Sequence, residues 1–253
     1  MDGDRESSLL ATRISLWRSA WQWWNEVAER DGRLSATRQL LTKIAEFARD
    51  STPERRKQRY GDAAYDWEHR VNTTSGAVGW RDRLLGIFHS PYQPTDSALF
   101  HEMFEALRQQ AGDFHDFVFI DLGSGKGRTL LMASDYRFRR IVGVELLPAL
   151  HQIAQENLRK YHGENQKCFQ LKAICADAVQ FAFPDEPTVL YLFHPLPESA
   201  LRHVIENLER SLKTYPRHAY VLYHNPLLEH VLNGSAALKK IGGTHQYAMY
   251  SHI

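Results

Sequence analysis

From residue 97 to residue 223 helix-like and strand-like segments alternate, and the strands read as continuous apolar runs. Strands are expected at 117–121, 140–145, 168–174, 188–194 and 219–223, with helices at 97–110, 128–136, 148–162 and 198–213. Strands without a polar face are covered on both sides, as in a parallel sheet sandwiched between helices. The pattern therefore predicts an α/β fold with a doubly wound, mostly parallel sheet. Two further strand-like segments, 236–241 and 245–250, are separated only by Gly242-Gly243-Thr244. No crossover helix fits there, so a hairpin makes the last strand antiparallel and completes a seven-stranded sheet.

The first part of the chain has a different texture. Leu10, Ile14, Trp17, Trp21 and Trp24 recur at helical spacing, and Leu40, Leu41, Ile44 and Phe47 repeat the pattern more briefly. Two amphipathic helices are expected, broken at Asp31-Gly32 and ended at Thr52-Pro53. Packing is the simplest use of Trp17, Trp21 and Trp24, while Trp23 lies off their stripe. The stretch 60–94 is rich in turn formers and reads as a linker folding over the entrance of a site. The expected organisation is an N-terminal helical cap and linker over 1–94 and an α/β domain over 95–253.

Charge narrows the function classes. With 31 Lys plus Arg against 30 Asp plus Glu, the chain has no broad positive field that would hold a nucleic acid or membrane. The basic residues Arg55, Arg56, Lys57 and Arg59 are too few to change that. No apolar run approaches the ~20 residues of a membrane span, and the acidic start lacks a secretory pattern, so a cytoplasmic protein is expected. Cys168 and Cys175 read as buried thiols, and the histidines show no metal-ligand spacing, so no metal is expected.

The chemistry is concentrated after the first strand, in Asp121-Leu122-Gly123-Ser124-Gly125-Lys126-Gly127-Arg128. Glycines here let the backbone turn sharply and approach a ligand, and the following helix offers free N–H groups to a carboxylate or phosphate. A dinucleotide fingerprint would place its third glycine at position 128, which is Arg128, and a P-loop would need a glycine at position 120, which is Ile120. Both fail. An exposed loop position is the simpler reading of Lys126, the alternative being added charge near a ligand carboxylate.

The loop resembles that of class I S-adenosylmethionine-dependent methyltransferases, with Asp121, Gly123, Gly125 and Gly127 at the matching positions and Ser124 between them. The resemblance runs from about Tyr92 to Ile253 and extends to seven-strand protein-lysine methyltransferases and to bacterial class I enzymes of unassigned substrate. It implies S-adenosylmethionine as cofactor, with Glu145 at the end of the second strand holding the ribose hydroxyls. A carboxylate suits a vicinal diol because it accepts two hydrogen bonds at once. Asp177 and Ala178, after the third strand, are then expected near the adenine, and Tyr92 and Thr95 over the methionine end.

Methyl transfer from a sulfonium mainly requires alignment of acceptor and methyl group. Three residues at the C-terminal ends of the fourth and fifth strands are candidates for the acceptor side: His194, Tyr223 and Asn225. His194 stands where the resemblance would place an Asn that grips a planar amino group. Protein lysine and small molecules are the favoured acceptors. The alternatives are an inactive S-adenosylmethionine-binding module acting through the Trp-rich helices and, less favoured, an NAD(P)-dependent oxidoreductase.

Overall fold

The computed structural model describes residues 16–50, 63–74, 93–193 and 196–252. They fall into two compact units, 16–50 in the first and 63–74 with 93–252 in the second.

The first unit is a pair of helices, α1 (Leu16–Asp31) and α2 (Arg33–Asp50), joined at Gly32, whose φ of 87° only glycine adopts readily. Val27 and Ala36 are buried, and the Trp24 indole donates to Thr37 Oγ1 at 3.3 Å. Trp21 stacks on Trp24 yet remains 63 % exposed, whereas the off-stripe Trp23 is half-buried with Lys43 Nζ over its ring. Helical spacing located the stripe but not the degree to which each ring is covered.

The second unit is built on seven strands in the order β3-β2-β1-β4-β5-β7-β6. In sequence they are β1 (Val118–Leu122), β2 (Arg140–Glu145), β3 (Leu171–Cys175), β4 (Thr188–Phe193), β5 (Ala219–His224), β6 (Lys239–Gly243) and β7 (Tyr247–His252). The first five pair in parallel, and β7 runs antiparallel to both β5 and β6. The helices are α3 (Ala63–His69), α4 (Ser97–Ala111), α5 (Arg128–Ala133), α6 (Pro148–Lys160), α7 (Glu198–Thr214) and α8 (Glu229–Asn233). The doubly wound α/β sheet with its antiparallel final strand is as expected.

Side chains alternate across the sheet and make two cores. Phe119, Val189, Tyr191 and Leu222 join the aromatic cluster of Phe100, Phe104, Phe114 and Phe138 on one face. Val118, Ile120, Leu122, Leu190 and Val221 meet Leu201, Ile205 and Leu208 of α7 on the other. Asp121, Tyr191, Phe193 and His224 thereby share the face of α4 and α5, which positions the site described below.

Three sequence expectations are corrected. β3 starts at Leu171 rather than 168, because Lys167 N and Cys168 N instead donate to Ser134 O; Cys168 is buried, but Cys175, at the end of this edge strand, is exposed. Gly242 and Gly243 lie inside β6, next to an irregularity in its pairing, so the hairpin turn falls after them. Residues 63–74, assigned above to the cap and linker, fold with the α/β unit. The remainder of that linker, 75–92, lies outside the described residues.

Candidate active site

The loop between β1 and α5 is a left-handed turn at three glycines, with φ of 89° at Gly123, 54° at Gly125 and 81° at Gly127. Gly123 N and Ser124 N donate to Val144 O, and Gly125 N donates to Glu145 Oε2 at 2.8 Å. Leu147 N donates to the other oxygen, Oε1, also at 2.8 Å. Both Glu145 oxygens thus accept from the backbone, and the acceptor capacity a carboxylate has left can take the hydroxyls of a vicinal diol. Burial at 6 % exposure raises the carboxyl above its usual range, and the backbone N–H groups of Leu147, Gly125 and Leu146 oppose that shift.

The loop is packed closely on both sides. A Cβ at Gly127 would lie 3.2 Å from Ala154 Cβ of α6, and one at Gly143 of β2 would lie 2.5 Å from Leu130 Cδ1 and 2.7 Å from Ser124 Oγ. Ser124 Oγ is buried and has no partner among the described residues.

Asp121, at the end of β1, accepts a hydrogen bond from Thr129 Oγ1. Burial pushes its carboxyl up to about 7; the Thr129 bond pulls the other way and the Glu145 charge adds to the rise. Asp177 accepts from Val179 N at 2.9 Å, shaping a short 3₁₀ turn at Ala178–Gln180, and Ala176 N donates to Glu145 O at 3.1 Å. Asp177 and Ala178 therefore flank Glu145 across the adjacent ends of β2 and β3.

Thr95, nearly inaccessible, lies 3.2 Å from Tyr191 Oη, which lies 2.8 Å from His224 Nδ1. The His224 ring stacks on Phe193 at 3.9 Å and 9°, the two residues being register partners at the ends of β4 and β5. Burial lowers the imidazole to about 4 against a weak opposing effect of Asp96, so it is neutral at physiological pH. His224 lies between Tyr223 and Asn225, the two candidates of this strand end, and no local sequence signal sets it apart from them.

Tyr223 is corrected by strand alternation: its ring lies in the opposite core, and its hydroxyl accepts from Leu228 N at 3.3 Å. Asn225 is exposed, at a φ of 51°, with its N–H on Gln246 O; its backbone turns the chain out of β5. Tyr92 and His194 lie outside the described residues.

Lys126 is also corrected, since it is not exposed, and Arg128 beside the loop is buried as well. Lys126 Nζ donates to Asn72 Oδ1 and Thr74 O, and the Arg128 guanidinium lies 4.2 Å over the Tyr65 ring. Both partners come from 63–74, a stretch whose packing no local sequence pattern announces. Among the described residues there is no cluster of three or more His, Cys, Asp or Glu suited to a metal, and no helix long and apolar enough to cross a membrane.

Residues 119–215 match the family model of a methyltransferase domain. No curated protein matches the chain. Among solved structures, the chain is similar to an RNA methyltransferase from Salinibacter ruber in complex with S-adenosyl-L-homocysteine, at 21 % identity and a TM-score of 0.41, covering 63 % of this chain and 92 % of that one. It is likewise similar to a ribosomal protein L11 methylase from Lactobacillus delbrueckii subsp. bulgaricus, at 12 % identity and a TM-score of 0.41, covering 60 % and 77 %. With the family match lying over the glycine loop and the strand ends around it, the chain carries a methyltransferase domain of the class I, S-adenosylmethionine-dependent kind, built on a seven-stranded sheet.

Proposed function

We propose that the enzyme methylates a neutral nitrogen on a small molecule or a protein lysine side chain, held at the ends of β4 and β5 beside Phe193 and His224. The observation that carries this reading is the Thr95, Tyr191 and His224 relay, which ties up one imidazole nitrogen while Nε2 has no partner among the described residues.

Bound S-adenosylmethionine supplies a methyl group already activated on its sulfonium. On this reading Gly123, Ser124, Gly125 and Gly127 receive the amino-acid end, with Asp121 as the carboxylate facing its cationic groups. Glu145 accepts the two ribose hydroxyls, and Asp177 with Ala178 lines the adenine side. Thr95 closes the methionine side through Tyr191.

His224 then orients the acceptor rather than deprotonating it. Proton transfer from an alkylammonium of pKa about 10 to an imidazole near 4 is uphill by roughly 8 kcal/mol, too steep for an ordinary base step. A lysine acceptor would therefore have to reach His224 already neutral. Orientation alone is a large effect in a transfer whose leaving group is already activated.

The test has two arms. Calorimetry should show S-adenosylmethionine and S-adenosylhomocysteine binding that Asp121→Ala and Glu145→Ala weaken. Incubating cell lysate with methyl-labelled cofactor should then place label in protein or small-molecule fractions in a His224-dependent manner. Label confined to RNA, or indifferent to His224→Gln, would overturn the acceptor assignment.

A further inference from the structure

Between Gly125 and Gly127, Lys126 is 0 % exposed. Its Nζ donates to Asn72 Oδ1 at 3.0 Å and to Thr74 O at 2.7 Å. Its carbonyl accepts from Asn157 Nδ2 at 2.9 Å, and the same amide donates to Asn72 O at 2.9 Å. Asn157 Oδ1 in turn accepts from Asn72 N at 2.9 Å. Asn72, Lys126 and Asn157, which lie on three separate parts of the chain, thereby close a ring of hydrogen bonds around the middle of the glycine loop.

The partner segment is itself shaped for this. Asp66 of α3 accepts from Thr73 N at 2.7 Å and Thr74 N at 2.8 Å, and also from the Thr73 hydroxyl. That fold presents the Asn72 side chain and the Thr74 carbonyl together. A buried ammonium without partners is very costly, so the pairing strongly favours this one arrangement. Burial lowers the Lys126 ammonium to about 8, with Asp66 opposing the shift.

The functional consequence follows from the glycines on either side. Gly125 and Gly127 leave the loop many conformations, and a ligand that must order it loses affinity to that entropy. We propose that Asn72, Lys126 and Asn157 form a lock that pre-sets the glycine loop for the cofactor, with Lys126 a positioning residue that acts through the loop backbone and does not touch the ligand. Asn157 holds the Lys126 peptide from α6, and residues 72–74 hold its side chain.

The experiment is titration of the full chain with S-adenosylhomocysteine at 25 °C, with thermal melts alongside. Lys126→Met should weaken binding about tenfold or more and Asn72→Ala by about threefold to tenfold, while the double variant binds no more weakly than Lys126→Met alone, because both remove the same unit. Leu107→Ala, a core truncation in α4, serves as the control: it should lower the melting temperature and leave affinity unchanged. If Lys126→Met does not fold, Asn72→Ala against Leu107→Ala decides the matter. Asn72→Ala binding within about twofold of the wild type would overturn the lock, and if Lys126→Met alone weakens binding the lysine instead contacts the ligand. Independent, additive effects of the two substitutions, or an equal loss of affinity in Leu107→Ala, would overturn it as well.

Discussion

The main-chain N–H of Gly125 donates to Glu145 Oε2 at 2.8 Å, so the carboxylate that ends β2 also fixes the turn that ends β1. Glu145→Ala leaves the buried amides of Gly125 and Leu147 without acceptors, at about 1–3 kcal/mol each. The expected result is a destabilisation of a few kcal/mol in denaturant melts together with loss of cofactor binding by calorimetry. Glu145→Gln retains one acceptor oxygen and should fold better than Glu145→Ala while still binding weakly. A Glu145→Ala protein with wild-type affinity would remove Glu145 from the cofactor site.

Asp121 makes both stability and binding depend on pH. Its folded-state pKa, raised to about 7 from 3.8 by burial, favours the protonated form in the native protein. That contribution to stability is fully present below about pH 4 and is lost as pH rises through about 7. A cationic cofactor favours the ionised carboxylate instead, so its binding should strengthen from pH 6 to pH 8 and release protons at neutral pH. Calorimetry in buffers of different ionisation heat measures that release. Asp121→Asn should abolish it and flatten the stability profile relative to the wild type.

The strand alternation and the glycine loop were readable in the sequence because each depends on local chemistry: apolar runs for buried strands and glycines where φ is positive. What could not be read was which face a strand residue takes when both faces are buried. Every residue of β5 from Ala219 to His224 is buried, so periodicity could not distinguish Tyr223 from His224. The choice is made by register, Asp121 opposite Tyr191 and Phe193 opposite His224, which only the assembled sheet reveals. The burial of Lys126 is hidden in the sequence for a related reason: a loop lysine is buried only if distant acceptors surround it, and those on Asn72 and Thr74 lie more than fifty residues away.

Gly143 tests how tightly the loop is held from below. Gly143→Ala would press a methyl group against Leu130 and Ser124 at 2.5–2.8 Å, beneath the turn that Val144 O and Glu145 hold. Overpacking of this kind costs about 1–3 kcal/mol. The displaced turn should also weaken S-adenosylhomocysteine binding, whereas Gly112→Ala, at a positive φ with open space around it, should cost stability alone. Comparable binding losses in the two variants would show that the contact at Gly143 is not specific to the loop.

His224 and Tyr191 separate orientation from cofactor binding. Tyr191→Phe removes the hydroxyl between Thr95 and His224 without emptying the aromatic core, and His224→Gln keeps a hydrogen-bonding side chain while losing the stack on Phe193. Misplacing an acceptor by about 1 Å can cost on the order of a hundredfold in rate, so both variants should show kcat reduced by roughly tenfold to a hundredfold. The affinity of His224→Gln for S-adenosylhomocysteine should stay near that of the wild type, because His224 belongs neither to the glycine loop nor to Glu145, whereas Tyr191→Phe, which removes the partner through which Thr95 closes the methionine side, should also bind more weakly. An imidazole near 4 is neutral throughout the physiological range, so His224 itself adds no step to the rate between pH 6 and pH 8. A rate limb in that window that disappears in His224→Gln would mean that His224 takes the acceptor's proton after all.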